Sequence, residues 1–252
     1  MQTGRSHSSM KPLVVLLAVM PFISAAAETR FESGPTRTSL VELYTSEGCS
    51  SCPPAEEWLS RLKSEPGLWK QFVPLAFHVD YWDRLGWRDR FSSKQWTERQ
   101  SRYAALWGNQ SVYTPAVVVN AREQRGWSAV SFSQPNDKNA GTLRVTTTNG
   151  RTFAIDFRPG EQSTGDYDAH AALLACNIST AVRAGENSGR NLAHDFVVLE
   201  LQEGGLKTEG VARRASLTTS ATPETGARQA VAVWITRRGQ LVPLQATGGW
   251  LP

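Results

Sequence analysis

Apolar and polar residues alternate or recur along the first half of the chain in a pattern that predicts strands and helices in turn. The alternation of residues 40–44 predicts a strand, and apolar side chains at helical spacing predict a helix over residues 55–63. Residues 72–79 and 116–120 predict two further strands, and residues 92–107 predict a second helix. This strand–helix–strand–helix–strand order predicts an α/β fold whose sheet contains parallel neighbours.

The pattern changes near residue 135. A turn-rich stretch over residues 133–141 predicts a linker, and after it short alternating segments are separated by Gly, Asn and Asp. The predicted strands are residues 143–148, 152–157, 171–184, 192–201, 211–219, 229–236 and 241–245. Short strands with regular turns are typical of a β-sandwich. We therefore expect an α/β domain over residues 28–135 and a β-rich, β-sandwich-like domain over residues 142–252.

The first 27 residues have the three parts of an export signal. Arg5 and Lys11 give a basic start, residues 12–23 form an apolar run, and small residues follow up to Ala27. This pattern predicts a signal peptide over residues 1–27, cleaved after Ala27, and a periplasmic or secreted protein. The alternative is an uncleaved membrane anchor, but the run is shorter than the about 20 apolar residues that a spanning helix needs. No later stretch is long and apolar enough, so we expect no membrane span in the mature protein.

Charge and cysteine content narrow the function classes. The formal net charge is +4, and it falls to +2 without the two basic residues of the leader, so electrostatics give no reason to expect nucleic-acid binding. The three cysteines are an odd number, so in an oxidising compartment one thiol is left over or pairs outside the chain. Cys176 lies in an apolar stretch, and we expect it to be a buried, inert thiol.

Cys49 and Cys52 are the strongest candidates for chemistry. Two cysteines three positions apart at the start of a helix can reach each other as a disulfide, and the helix N-terminus favours a thiolate. As a redox pair, Cys49 would attack and Cys52 would resolve the mixed disulfide. The alternatives are a structural disulfide or half of a zinc site, which needs two more ligands in closing spacing. Pro53 and Pro54 leave open whether Cys49 caps the helix or the helix begins near Pro53.

This setting resembles the thioredoxin superfamily. Residues 40–52 are similar to the first catalytic strand, turn and CxxC motif of that superfamily, and residues 112–119 are similar to its loop with a cis-proline before a strand. The resemblance implies a thioredoxin-like fold for the N-terminal domain and a disulfide between the two cysteines of the motif. It also implies a cis peptide bond at Pro115, with Thr114 as the substrate-facing residue.

A narrower resemblance covers most of the mature chain. Four segments are similar to a family of exported bacterial proteins called domain of unknown function 1223: residues 44–54, 77–87, 113–119 and 185–190. This resemblance carries information on fold and little on activity, because the family is named for lacking one. Gly48 departs from thioredoxin itself, which has an aromatic residue before the first cysteine.

Three further residues are candidates for the site. His78 and Asp80 lie two apart at the end of a predicted strand, so their side chains point the same way, toward the edge where the dithiol is expected. His78 would move protons or orient a thiolate, with Asp80 as its acid–base partner; the alternative is a half-buried histidine beside a turn-forming aspartate. Trp82 belongs to a group of aromatic residues that would either line a substrate groove or belong to the core.

The residues support three hypotheses for function. The first is an exported thiol–disulfide oxidoreductase that uses Cys49 and Cys52 on protein or small-molecule thiols and disulfides, with no bound cofactor and no metal. This first hypothesis requires that a substrate can reach the two sulfurs and that Pro115 lies beside them. The second is a non-catalytic binding module with a structural disulfide. The third is copper or zinc handling through the same cysteines and His78.

Overall fold

A computed structural model describes residues 1–4, 27–130, 132, 139–160, 165–222 and 224–252. Most of the predicted signal peptide, residues 5–26, and the first six residues of the predicted linker, residues 133–138, lie outside the described residues. Among the residues described, no helix combines the length and the apolar character needed to cross a membrane.

Strands dominate the chain, and most of them lie where the apolar pattern predicts them. The first part of the chain contains β1 (Thr29–Glu32), β2 (Ser39–Thr45), α1 (Pro53–Arg61), β3 (Phe72–His78), α2 (Lys94–Leu106), β4 (Ala116–Val119) and β5 (Arg122–Glu123). The second part contains β6 (Thr142–Thr147), β7 (Thr152–Arg158), β8 (Tyr167–Cys176), β9 (Ile178–Ala181), β10 (Asn191–His194), β11 (Val197–Gly205), β12 (Lys207–Glu209), β13 (Ala212–Thr218), β14 (Arg228–Arg237) and β15 (Pro243–Trp250). The predicted strands 171–184 and 192–201 are each divided into two strands.

One large sheet joins the two halves of the chain. Its eight strands lie in the order β15-β14-β8-β11-β3-β2-β4-β5. β2 and β3 are parallel along their whole length, and β3 meets β11 in parallel at the pair Ala76–Val197, whereas the other neighbours are antiparallel. The second sheet has five antiparallel strands in the order β1-β6-β7-β13-β12, and β9 and β10 form a separate pair.

The predicted fold class, a thioredoxin-like α/β domain followed by a β-rich domain, is therefore wrong. Strand accounts for 44% of the structure and helix for 14%, and the large sheet takes strands from both halves. The local elements form near their predicted positions, but an apolar strand pattern identifies a strand without identifying its neighbours. The contact of β3 with β11 joins segments that are far apart in sequence, so neither segment alone predicts it.

The core lies on both faces of the large sheet. Along β14, Ala230, Ala232 and Trp234 point into an apolar cluster with β2, β3 and the helices, and the residues between them point into a second cluster with the five-stranded sheet. Every side chain from residue 230 to residue 235 is buried. This double burial explains the unbroken apolar run of the segment, because a strand covered on both faces needs no polar side.

A buried ion pair, which the sequence did not reveal, fixes α2 to β2. Arg99 donates from Nε and Nη2 to the two carboxylate oxygens of Glu42, at 2.8 and 3.1 Å, and both residues are buried. The hydroxyls of Tyr44 and Tyr103 donate to the same carboxylate, at 2.9 and 2.5 Å. The charges of the pair are thus compensated and its acceptors are filled, which is the condition for burying such a pair without a large penalty.

Candidate functional site

The two cysteines of the CxxC motif lie in the loop between β2 and α1, called the cysteine loop below. Cys49 and Cys52 form a disulfide, so the predicted pairing is confirmed. The helix begins at Pro53 with Cys52 at the capping position, and its first backbone bonds run from Ala55 and Glu56 to the carbonyl of Cys52. Cys49 therefore lies in the loop ahead of the helix, and the N–H groups at the helix start favour Cys52 more directly than Cys49.

Pro115 lies at the same end of the sheet. The Thr114–Pro115 peptide bond is cis, as predicted. Because β4 runs antiparallel to β2 with Ala116 opposite Tyr44, Pro115 lies beside the end of β2 from which the cysteine loop leaves. Trp82 donates from its indole Nε1 to the Thr114 hydroxyl at 2.7 Å. The predicted substrate-binding residues Trp82 and Thr114 are thus in direct contact.

Gly48 is explained by its contact with Trp82. A Cβ atom built on Gly48 would lie 3.2 Å from the Cβ of Trp82, closer than side-chain carbons normally approach. An aromatic residue at this position, as in thioredoxin itself, would require Trp82 to move. Trp82 therefore links the cysteine loop to the cis-proline loop through one packing contact and one hydrogen bond.

Neither cysteine is exposed to solvent. Both have a relative exposed area of 0%, although Ser50 and Ser51 between them are exposed. A segment from the C-terminal half of the chain, residues 185–190, is hydrogen-bonded to the cysteine loop, and we call it the strap. The predicted requirement that a visiting molecule can reach the sulfurs is not met in this conformation.

Two side chains of the strap hold it to the cysteine loop. Asn187 is buried and donates from Nδ2 to the carbonyl oxygens of Glu47 and Cys49, both at 2.9 Å. The carboxylate of Glu186 accepts hydrogen bonds from the hydroxyl and the backbone N–H of Ser50, at 2.6 and 3.1 Å. These two bonds lower the pKa of Glu186. The strap is therefore fixed at one buried and one exposed point.

The predicted pair of His78 and Asp80 does not form. His78 Nδ1 lies 2.6 Å from Asp89 Oδ2, whereas Asp80 accepts a hydrogen bond from the Thr97 hydroxyl at 2.6 Å. β3 ends at His78, so the strand alternation that would place His78 and Asp80 on one face no longer applies at Asp80. The partner of His78 is Asp89, which the sequence did not single out.

His78 and Asp89 belong to a larger buried group that the sequence did not predict. Its other members are Glu47, Glu56 and His194, and we call these five residues the histidine cluster. His194 Nδ1 lies 2.5 Å from Glu56 Oε2, and His194 Nε2 lies 3.3 Å from Glu47 Oε1. The centres of the two imidazole rings are 5.2 Å apart. The structure thus brings two histidines and three carboxylates together without exposing any of them.

The histidine cluster adjoins the cysteine loop. Glu47 lies in that loop, two residues before Cys49, and Asn187 bonds the carbonyls of both. Glu56 lies in the first turns of α1, and its backbone N–H bonds the carbonyl of Cys52. A separation of 138 residues between Glu56 and His194 means that no local sequence pattern could have revealed the cluster.

The carboxylates of the cluster favour protonated imidazoles. Burial alone lowers the pKa of His194, but the carboxylates of Glu47 and Glu56 outweigh it and raise that pKa to about 10. Burial also lowers the pKa of His78, and the Asp89 carboxylate turns the net shift upward. Burial raises the pKa values of Glu56 and Asp89, but the imidazoles beside them reverse this and bring both below the usual range. At neutral pH His194 therefore forms a buried ion pair with the two glutamates.

Comparisons with known proteins identify the family and the fold. The family profile described as protein of unknown function (DUF1223) matches residues 40–236, and no curated protein matches the chain. The fold is similar to the crystal structure of protein AGR_C_4864 from Agrobacterium tumefaciens, with a TM-score of 0.58 and 24% identity, covering 86% of this chain and 94% of that one. It is also similar to HBP35 of Porphyromonas gingivalis, with a TM-score of 0.54 and 12% identity, covering 87% of this chain and 76% of that one. Sequence identities this low support a shared fold and nothing more. The family profile, in contrast, covers most of the sequence, and the chain therefore belongs to the DUF1223 family of proteins of unknown function.

Proposed function

We propose that this chain is a thiol–disulfide oxidoreductase that acts on protein or small-molecule thiols and disulfides through Cys49 and Cys52. The observation that carries the proposal is the disulfide at the start of α1, at the same end of the sheet as the cis peptide bond of Pro115. The loop that this disulfide closes is very short, so the bond constrains the unfolded chain by only about 2 kcal/mol, at the low end for disulfides. A disulfide that serves stability alone is better placed across a longer loop.

The exchange proceeds through a mixed disulfide. A substrate thiolate attacks one sulfur of the Cys49–Cys52 bond, which breaks as the new disulfide forms, and the other sulfur leaves as a thiolate. A second substrate thiolate then attacks the mixed disulfide and releases the substrate in its oxidised form. Cys49 and Cys52 are left reduced by two electrons. A disulfide of a second partner reverses these steps and restores the oxidised pair, so no bound cofactor is needed.

Exchange requires a local movement, because both sulfurs are buried in this conformation, and we propose that the strap is the segment that moves. Asn187 and Glu186 hold the strap to the cysteine loop with four side-chain hydrogen bonds. Local opening of a short segment requires much less free energy than unfolding of the whole protein. With the strap displaced, Thr114, Pro115 and Trp82 are the residues that we propose contact the substrate.

The proposed location is the periplasm or the cell exterior, after removal of residues 1–27. A disulfide such as Cys49–Cys52 persists in oxidising compartments and is rare in the reducing cytosol. Mass spectrometry of the protein isolated from its native cells checks the location. We expect a chain that begins at Glu28, whereas an intact leader would contradict cleavage.

The activity is tested by reduction of insulin disulfides with dithiothreitol as the electron donor. Cys49→Ser and Cys52→Ser should lose the acceleration that the wild-type protein gives. Cys176→Ser is the matched control, because this third cysteine is buried and unpaired, and its loss should leave the rate unchanged. A Cys49→Ser variant as active as the wild type, or no acceleration by the wild type, would refute the proposal.

The burial of both sulfurs favours a second candidate, a non-catalytic module whose disulfide is structural. The reduction potential separates the two, because structural disulfides of exported proteins usually lie below about −300 mV and catalytic ones lie higher. A potential below that limit, together with no insulin reduction, would support the structural role.

A further inference from the structure

We propose that the histidine cluster binds one divalent transition-metal cation, with Zn²⁺ as the best match, through Glu56, His78 and His194. Each of the three side chains offers one ligand atom, and these atoms lie within 4.8 Å of one another. The side chains come from α1, from the end of β3 and from the end of β10, so the cation would join three separate elements. None of the ligands is a cysteine, so the inference does not depend on the proposed thiol chemistry.

Unpartnered buried atoms point to a missing ligand. His78 Nε2 is buried and has no hydrogen-bond partner within the described part of the chain, and His194 Nε2 and Glu47 Oε1, which face each other at 3.3 Å, form no well-aligned hydrogen bond. Such atoms are rare in folded proteins, because a buried polar atom that is left unpaired destabilises the folded state. Here all three belong to the same five-residue cluster. A cation would bind an imidazole nitrogen after displacing its proton, or a carboxylate oxygen directly.

His78 is oriented as a metal-binding imidazole usually is. Its Nδ1 lies 2.6 Å from the Asp89 carboxylate, which leaves Nε2 free to face the cluster. Asp89 is itself fixed by hydrogen bonds from the backbone N–H groups of Glu47 and Phe91, at 2.8 and 2.9 Å. A carboxylate that holds the far nitrogen of a ligating histidine sets both the tautomer and the ring direction.

The two glutamates are held in a similar way. The Thr45 hydroxyl donates to Glu56 Oε1 at 2.6 Å, and the Trp87 indole donates to Glu47 Oε2 at 2.7 Å. The second oxygen of each carboxylate faces His194, with Glu56 Oε2 at 2.5 Å from Nδ1 and Glu47 Oε1 at 3.3 Å from Nε2. Each carboxylate thus has one oxygen bound to a protein donor and the other directed toward the histidines.

The ligand types and the charge select the cation. Two imidazole nitrogens with a carboxylate oxygen form a ligand set of zinc sites, whereas Ca²⁺ and Mg²⁺ prefer oxygen ligands alone. When both imidazoles are neutral, the three buried carboxylates give the cluster three negative charges. One divalent cation compensates two of these charges, as protonation of both imidazoles does. Tetrahedral ligands of Zn²⁺ lie about 3.3 Å apart, so binding requires ligand atoms that are as far as 4.8 Å apart to approach by up to about 1.5 Å.

The test uses the mature protein with its disulfide intact, so that neither Cys49 nor Cys52 can act as a ligand. Protein freed of metal with a chelator is titrated with Co²⁺, whose visible absorption reports tetrahedral coordination, and then with Zn²⁺, which displaces it. Long incubation at each step allows for the burial of the cluster. We expect one equivalent to bind, and Zn²⁺ to raise the melting temperature, because it binds only the folded state.

The variants separate the cluster from other sites. His78→Gln and His194→Gln should abolish the binding of one equivalent, and Asp89→Asn should weaken it by about 10- to 100-fold. His170→Gln is the matched control, because His170 is also buried but bonds Thr236 outside the cluster, and it should bind as the wild type does.

Three outcomes would overturn the inference. They are no binding by folded wild-type protein, unchanged binding in both cluster histidine variants, or equal loss in the His170 control. Where a variant fails to fold, the wild-type stoichiometry and the zinc-dependent melting temperature decide. A Cys49→Ser, Cys52→Ser double variant should still bind Co²⁺, so failure of the metal site and failure of the thiol chemistry are distinguishable.

Discussion

Replacing Asn187 by Ala should make the disulfide much easier to reduce. The Asn187 side chain makes two hydrogen bonds to the cysteine loop, to the carbonyls of Glu47 and Cys49, both at 2.9 Å. Each bond contributes about 1 kcal/mol, so opening of the strap should become easier by about 2 kcal/mol. Because 1.4 kcal/mol corresponds to a factor of ten, the population with an open strap should rise about 30-fold.

The assay is the rate at which dithiothreitol reduces the protein in native buffer, followed by the appearance of free thiols. Reduction through local opening exposes little surface, so its rate should depend only weakly on urea below the unfolding transition. Reduction through global unfolding has a steep dependence on urea. We expect the Asn187→Ala variant to be reduced about 30-fold faster than the wild type, with a weak urea dependence in both proteins.

Gln245→Ala is the matched control. Gln245 is also a buried amide that donates to backbone carbonyls, those of Gly34, Thr36 and Gly141, but it makes these bonds away from the strap. Its loss should lower the free energy of unfolding and leave the reduction rate in native buffer unchanged. Equal acceleration by Gln245→Ala and Asn187→Ala, or a steep urea dependence in the wild type, would show that the sulfurs become accessible only on global unfolding.

Three further predictions concern the rest of the chain. Glu42→Gln leaves Arg99 buried without its counter-charge and should lower the free energy of unfolding, measured in urea, by about 3–5 kcal/mol. The exposed control Glu57→Gln should change this free energy by less than about 0.5 kcal/mol. Equal effects of the two variants would contradict the role of the buried pair. Burial raises the pKa of Cys176 to about 12, so iodoacetamide at mildly alkaline pH should modify this thiol only after denaturation, and rapid labelling of the native protein would count against its burial. Burial lowers the pKa of His170, so the native ring resists protonation, whereas the unfolded chain takes up a proton near pH 6.5. The free energy of unfolding should therefore fall as the pH falls through about 6.5. His170→Gln should flatten this part of the profile of melting temperature against pH, and an unchanged profile would contradict the argument.

Some short strands escaped prediction for a physical reason. β1 and β12 contain almost no buried side chain, because they lie at the two edges of the five-stranded sheet. Without an alternation of buried and exposed positions, a strand gives no apolar pattern to detect. β5 has only two residues, which is too short for any period. These three edge strands therefore escaped prediction, whereas β15, at the other edge of the large sheet, was predicted in part as residues 241–245.

The sequence by itself determined the elements that carry the site. The spacing of apolar residues located β2, α1, β3 and β4, because this spacing indicates which side chains are buried. The CxxC spacing placed two cysteines within disulfide reach, and the resemblance of the loop before β4 predicted the cis bond at Pro115 correctly. All of these features depend on residues that are close together along the chain.

Only the tertiary structure decided how those elements are joined, whether the sulfurs are covered, and which groups meet His78. β3 pairs with β11 from the other half of the chain, Asn187 bonds the cysteine loop, and His194 completes the histidine cluster. Each of these contacts joins residues more than a hundred positions apart. A local pattern states that a side chain is buried, but the partner of a buried strand, amide or charge is set by which distant surfaces fold against it.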